Sequence, residues 1–532
     1  MNKLYLGIVV LALILGGELT ALAQKEKSIA TDRVTQPEEM TKKFFADPSI
    51  KLPTPTNLKP FDQGLCTYEE MMNFLQTEAK SHPGMVNLTS LGKSTGGKEI
   101  PMLYFGDGKD PKKLRVWMQG GIHGNEPGGT EGLFMLMHYL LNTPEGALLL
   151  KKIDLAILPV ANMDGYLAHK RTSADGFDLN RDQSKFSDRM SPVIKRAFIG
   201  WNSEASFDFH EYTPIRKEYD QILKGPAAGF YDVLFLPSGN LNVPVGLRKL
   251  SVDLFESNAE KALEQSGYTH NFYFTAKPVQ EGVVLAKGGN SPRSSSSSYA
   301  LSNSVSILIE MRGIGLGRTS FVRRTHCTFL VAKSLLETAS ANAGKVRKTV
   351  NDAIRQTIKR TNDIVVTADE TLVHYPVKFI DMKSNEVVAP DMKVYDALLS
   401  YSTLSRKRPV AYLLLPECKA EVEILKTLGI NILVSDKSMT VPVECFTVTS
   451  YKEETVEWEG LFPVTVQTKL APVTKTFPAG SYIVRLDQKN GNYIGTLIEP
   501  ESENSFVYSA LTKTAMGKEL PYYRFEKGKL PY

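Results

Sequence analysis

The sequence predicts an α/β fold: a mixed, largely parallel sheet with helices on both faces, followed by a smaller α/β or β-rich C-terminal domain. Three observations point there. Between residues 114 and 360, short apolar runs of strand length alternate with longer stretches of helical periodicity. The apolar runs read as buried strands rather than as half-exposed ones. From about residue 364 the texture changes to short β-rich segments separated by turns.

The elements follow in order. Residues 114–118 are strand-like, and 130–141 are helical, with Leu133, Leu136, Met137 and Leu140 at helical spacing. Residues 153–160 read as a buried strand, 191–204 as a helix and 205–209 as a third strand. A helical period over 247–267 ends on Gly267, a stop signal. Residues 305–309 form a fourth strand, and 328–360 are helical. Beyond them, 375–380, 410–415 and 446–448 are short strands, and 420–429 is an amphipathic helix. The low-complexity patch Ser291-Pro292-Arg293-Ser294-Ser295-Ser296-Ser297-Ser298 reads as a solvated loop, placed shortly before the strand that ends on Glu310.

A chain of 532 residues with 42% hydrophobic content exceeds one ordinary core, so it divides. The predicted units are a signal peptide over 1–23, a loosely packed lead-in over 24–60, the larger α/β domain over 61–360 and an accessory domain over 361–532. Lys3, the apolar run 4–17 and Ala21-Leu22-Ala23 have the pattern of an export signal cleaved after Ala23. The run is shorter than the ~20 residues of a spanning helix. The mature protein is therefore expected in a periplasm or outside the cell, with no stable membrane insertion. The balance of 63 Lys+Arg against 58 Asp+Glu, with no basic tract interleaved with aromatics, argues against a nucleic-acid partner. Cys66, Cys327, Cys418 and Cys445 are too widely spaced for a metal knuckle. Cys418 and Cys445 are either a disulfide pair permitted by export or buried thiols.

In open α/β sheets ligands gather at the carboxyl ends of the strands, and here those positions carry chemistry. After the first strand comes "GGIHGNEPGG", which presents His123 and Glu126 within a glycine-rich turn that Pro127 closes. A hydrolytic zinc takes three ligands from His, Asp and Glu and keeps a fourth position open. His-x-x-Glu supplies two. His210, at the end of the third strand, is the best placed of the remaining histidines. Glu310 ends the fourth strand. An isolated His-x-x-Glu is a weak signal; three such features after separate strands of one sheet form a stronger one.

Together these residues resemble the zinc carboxypeptidases, the M14 metallopeptidases. "GGIHGNEPGG" is similar to the family's zinc motif, "NMDGY" (162–166) to its Asn-Pro-Asp-Gly-Tyr segment with Met163 replacing the usual proline, and "GFDLNRD" (176–182) to its Asp-Leu-Asn-Arg motif. "FDFHEY" resembles the strand bearing the third ligand, and "ILIEMRG" the strand bearing the catalytic glutamate. The match spans roughly residues 65–340. "FPAGSYIVRLDQ" and "TLIEPES" more weakly resemble the C-terminal accessory region of some exported bacterial members.

The resemblance implies a zinc-dependent exopeptidase that hydrolyses the C-terminal bond of peptides, with one Zn2+ per chain held by His123, Glu126 and His210. It implies Glu310 as the general base, Arg171 as the partner of the oxyanion, Asn180 and Arg181 as the clasp for the substrate's carboxylate, and Tyr299 over the terminal residue. A guanidinium fork matches a carboxylate, and an amide adds a neutral donor. Three other functions share these features: a peptidase of murein stem peptides, a deacylase of N-acyl amino acids, and a non-catalytic peptide-binding relative.

Overall fold

A computed structural model of the chain describes residues 36–280, 282–359, 362–457 and 461–528. The export signal lies outside the described residues. Among the described residues, no helix is long and apolar enough to cross a membrane.

The architecture is organised by one eight-stranded sheet. Its strands in chain order are β1 (Asn87–Lys93), β2 (Glu99–Phe105), β3 (Leu114–Gly120), β4 (Ile153–Leu158), β5 (Ala205–Tyr212), β6 (Val233–Pro237), β7 (His270–Phe272) and β8 (Val305–Arg312). Their order across the sheet is β1-β2-β4-β3-β5-β8-β6-β7. The central pairs β4–β3, β3–β5 and β5–β8 are parallel, and β1–β2, β2–β4 and β8–β6 are antiparallel. Every residue of β4, β5 and β8 is buried, which is why these strands read as continuous apolar runs.

Helices cover both faces, as the sequence predicts. Side chains alternate along β3. On one face Gly120 closes against Leu133 of α1 (Pro127–Asn142). On the other, Trp117 packs edge-on against Phe198 of α2 (Ser191–Trp201), with ring centroids 5.7 Å apart. Phe198 in turn stacks on Tyr299 of α3 (Ser295–Leu301). The face bearing α2 and α3 is the one onto which Asp208, His210 and Glu310 project, two residues apart along β5 and in register across to β8.

Several boundaries differ from the sequence reading. The third and fourth strands continue to Tyr212 and Arg312, so His210 and Glu310 lie within the pairing rather than beyond it. α2 stops at Trp201 because Asn202 takes a left-handed conformation, φ 56°. The helix of 247–267 contains a π turn over Ser251–Glu256. The last helical stretch is two helices, Phe321–Ala341 and Ala343–Lys359.

Two expectations are corrected. Of the predicted solvated loop 291–298, Ser295 to Ser298 instead begin the helix α3 and are buried, a burial each hydroxyl tolerates because it has a hydrogen-bond partner. The lead-in from residue 36 onward is not loosely packed: Met40, Phe45 and Leu52 are buried, and the Thr56 hydroxyl and backbone N–H donate to the buried carboxylate of Glu131, as does the Thr54 hydroxyl. All four cysteines are buried free thiols.

The C-terminal segments are knitted into the rest. Gly282–Lys287 pairs in parallel with Asp391–Arg406, which pairs with Ile364–Pro376. Phe379–Asp381 pairs with Ala227–Gly229. A six-stranded sheet follows, its longest strands Met439–Glu453 and Val464–Phe477. Asn242 brackets the backbone of Val365, donating to its carbonyl at 2.8 Å and accepting from its N–H at 3.0 Å. Tyr493 donates its hydroxyl to the Ser298 carbonyl, and one apolar core runs through Leu335, Ile364, Tyr493 and Tyr522.

Candidate active site

The glycine-rich stretch after β3 is shaped for close approach. Gly121 has φ 61°, and a Cβ on Gly124 would lie 1.8 Å from the carbonyl carbon of Gly165. The turn brings the Glu126 N–H back to the His123 carbonyl at 3.3 Å, and Pro127 begins α1 in the first turn, where a missing N–H breaks no helical hydrogen bond. The segment it packs on is itself braced. Asn162 caps the helix Met163–Ala168, and Asp164 accepts from the Ser94 hydroxyl and the Gly96 N–H.

His123, Glu126 and His210 converge: one donor atom from each lies within 4.8 Å of the others, and all three side chains are buried. The Nδ1 atoms of the two imidazoles are 3.1 Å apart, and each lies against the Glu126 carboxylate, at 2.8 Å for His123 and 2.9 Å for His210. The opposite nitrogens are tied to carboxylates, His123 Nε2 to Asp178 at 3.1 Å and His210 Nε2 to Asp208 at 2.9 Å. A carboxylate only accepts, so each Nε2 carries a proton; each Nδ1, facing Glu126 as well as the other ring, offers a lone pair that a proton or a metal cation must meet. Two lone pairs that close demand a positive charge among them. Burial alone would lower the pKa of His210, yet Asp208 and then Glu126 outweigh it and raise it. Burial alone would raise Glu126, yet the two imidazoles hold it well below the usual carboxylate range. One divalent cation satisfies all three donors at once, and the carboxylate–histidine pairs behind them are what zinc-ligating histidines use.

The cluster opens onto a cleft of about 990 Å³ lined by His123, Arg171, Asn180, Arg181, Tyr273, Arg293 and Glu310, among others. Glu126 and His210 lie beneath it. Glu310 is the register partner of His210. Its Oε2 is buried without a hydrogen-bond partner, and burial, reinforced by Glu126, pushes its carboxyl upward against the opposing His210 and Arg171. Arg312 does not pair with it: that guanidinium lies over the Phe45 ring and donates to the Gly229 carbonyl. Arg171 is clamped by Asp178 through Nε and Nη2, both at 2.9 Å, and its Nη1 lies 3.3 Å from His123 Nδ1. Burial opposes its charge, but Asp178, Glu126 and Glu310 raise its pKa overall.

Asn180 and Arg181 form a short 3₁₀ turn capped by Asp178. Asn180 accepts the Ser295 N–H on Oδ1 at 2.8 Å. A backbone N–H can only donate, so the contact fixes the flip of the amide and leaves the NH2 end as the group available to a ligand. Arg181 Nη1 donates to the Asn180 carbonyl at 3.0 Å.

The expected substrate contact from Tyr299 is corrected. Its ring is fully buried on Phe198, centroids 4.0 Å apart, and its hydroxyl donates to Gln119 Oε1 at 2.6 Å, so it supports β3 rather than the cleft. Half-buried Tyr273 lines the cleft instead, its phenol pKa raised by burial and by Glu310. Sequence reasoning gave no role to Asp178 or Asp208. The signal for Asp208 was its place two residues before His210, on the same face of one strand. The C-terminal wall of the cleft, including Glu370, Tyr401, Glu503 and Tyr508, was also missed.

The model of the family described as zinc carboxypeptidase matches residues 71–221. The chain is 31% identical over 476 residues to Carboxypeptidase 2 of Trichophyton rubrum, covering 86% of each protein. It is 32% identical over 484 residues to Carboxypeptidase 2 of Trichophyton equinum, again covering 86% of each. Carboxypeptidase A from Helicoverpa armigera superimposes with a TM-score of 0.42 at 21% identity, over 55% of this chain and 77% of that one.

Proposed function

The chain belongs to the zinc carboxypeptidase family, the M14 metallopeptidases, and is a metallocarboxypeptidase-type hydrolase; from that premise we propose that it removes the C-terminal residue of peptides. The observation that carries the proposal is the buried His123–Glu126–His210 cluster at the floor of a cleft that also presents Glu310, Arg171, Asn180 and Arg181.

His123, Glu126 and His210 would hold one zinc ion, which when bound polarises a carbonyl and acidifies water. Glu310 acts as the general base. Its Oε2, buried at the cleft and without a partner in the protein, takes a proton from the attacking water and passes it to the leaving amine. The upward push of burial on this carboxyl suits a group that must both accept and return a proton near neutral pH. Arg171 donates to the oxygen on which charge develops. Its clamp on Asp178 fixes the guanidinium beforehand, so little reorganisation accompanies the step. Asn180 and Arg181 clasp the substrate's terminal carboxylate, the amide through its NH2 end and the guanidinium through its fork. Tyr273 supplies the aromatic surface in the cleft that Tyr299 does not.

The leading Lys3, the apolar run 4–17 and Ala21-Leu22-Ala23 support export of this enzyme. Murein stem peptides and N-acyl amino acids also end in a carboxylate, so the clasp alone does not separate them from ordinary peptides. Incubation of the zinc-loaded protein with unblocked peptides, muropeptides and N-acyl amino acids separates the three. Release of single C-terminal residues from ordinary peptides is expected. Exclusive cleavage of either of the other two substrate classes would overturn the proposal, as would binding of peptides without turnover.

A further inference from the structure

Resting on that reading, we infer that Ser295 is a positioning residue that closes the metal cluster and the carboxylate clasp into one hydrogen-bonded ring. The ring can be traced atom by atom. His123 Nε2 meets Asp178 Oδ1 at 3.1 Å, and the Asn180 N–H donates to the same oxygen at 2.8 Å. Asn180 Oδ1 accepts the Ser295 N–H at 2.8 Å. The Ser295 hydroxyl donates to Asp208 Oδ2 at 2.5 Å, and that oxygen also accepts from His210 Nε2 at 2.9 Å. His210 and His123 then meet on Glu126. Ser295, Asp208, Asn180 and His210 are all more than nine-tenths buried, so no solvent replaces a lost link.

Ser295 does two things from one position. Its N–H belongs to the first turn of α3, where no helical acceptor exists, and is therefore free to orient the Asn180 amide. Its hydroxyl steadies Asp208, whose Oδ1 has no partner and whose Oδ2 fixes the tautomer and tilt of His210. The buried Lys195 ammonium donates to Ser298 at 2.7 Å, and the hydrogen bonds to Asp208 Oδ2 come from Ser295 and His210. The inference is that grip on the substrate's carboxylate and grip on the metal are mechanically joined through this serine.

The test compares Ser295→Ala with Ser297→Ala. Ser297 lies in the same short helix, is equally buried, and bonds to Ser238 and the Gly289 carbonyl outside the ring. Zinc dissociation is measured by competition with a chromophoric chelator, melting temperature by calorimetry, and KM and kcat with a free-acid peptide. Ser295→Ala should weaken zinc binding about tenfold and raise KM, whereas Ser297→Ala should lower the melting temperature without either change. Asp208→Asn removes the charge from the oxygen that accepts both links and serves if Ser295→Ala does not fold; it should weaken zinc and raise KM together. Zinc affinity and KM both unchanged in Ser295→Ala would overturn the inference, as would equal effects from Ser297→Ala, or a weakened metal with unaltered KM in Asp208→Asn. Wild-type protein that binds no zinc would remove the functional reading itself, a result distinct from all of these.

Discussion

His210 and Glu310 are register partners on the adjacent parallel strands β5 and β8. Because side chains alternate along a strand, the pairing puts both on one face of the sheet, His210 within the buried cluster and Glu310 at the cleft with a free carboxylate oxygen. The separation of metal-holding and proton-moving roles is thus built into backbone pairing. Glu310→Gln preserves shape and removes the proton acceptor. Turnover should fall by about 10²–10⁴-fold while zinc content, measured by elemental analysis, stays at wild-type level. Full activity in this variant would exclude Glu310 as the base.

Arg171 is held by Asp178 beside His123 and is predicted to act mainly in the transition state. Arg171→Ala should lower kcat by roughly 10²–10³-fold, about 2.7–4 kcal/mol, with a smaller effect on KM. Steady-state kinetics on one free-acid peptide decide this; a change confined to KM would place Arg171 in ground-state binding instead.

The clasp predicts discrimination by the substrate's charge. Wild-type protein should strongly prefer a free-acid peptide over its C-terminal amide, and Arg181→Ala should erode that preference chiefly by raising KM for the acid. Paired assays on the acid and amide forms check it. Equal turnover of both forms by the wild type would contradict the clasp.

How much of this was legible in the sequence depended on distance along the chain. His123 and Glu126 share one turn, and His210 and Glu310 each close an apolar run, so all four could be found without knowing how strands pair. The ring through Ser295 could not, because a run of serines has the composition of a loop, and only folding shows that Ser295, Ser297 and Ser298 satisfy their hydroxyls on Asp208, Ser238 and Lys195. Tyr299 was misplaced for the same reason. Once those serines form α3, its ring turns into the core against Phe198, and Tyr273 from a distant segment takes the cleft. The C-terminal wall depends on pairing Leu285 with Val394, a contact more than a hundred residues apart that no local pattern records.

Gly124 admits no side chain. A Cβ there would meet the Gly165 backbone at 1.8 Å, and backbone cannot swing aside as a side chain can. Gly124→Ala should push the His123–Glu126 turn off its support, lowering stability by about 1–3 kcal/mol or more and reducing zinc content. Calorimetry and elemental analysis test both halves; wild-type values in each would show that the turn has slack.

Glu256, in the π turn away from the site, sets a pH dependence of stability. Burial, with Glu260 adding to it and Lys287 and His270 opposing, raises its carboxyl from an ordinary 4.5 to about 8. The folded state therefore keeps a proton that the unfolded chain releases. The contribution is fully present below pH 4.5 and is lost as pH rises through about 8. Glu256→Gln should flatten this slope and be the more stable form at pH 8–9, by on the order of 1–3 kcal/mol. Denaturant melts of both proteins across that range test it, and parallel curves would contradict it.

The most direct test of the central claim is the zinc content of purified, active protein beside that of His210→Ala. The account predicts one zinc per chain in the wild type, loss of that zinc together with peptide hydrolysis in the variant, and loss of both on chelation. Hydrolysis that persists in wild-type protein stripped of metal, or a full complement of zinc in His210→Ala, would contradict it.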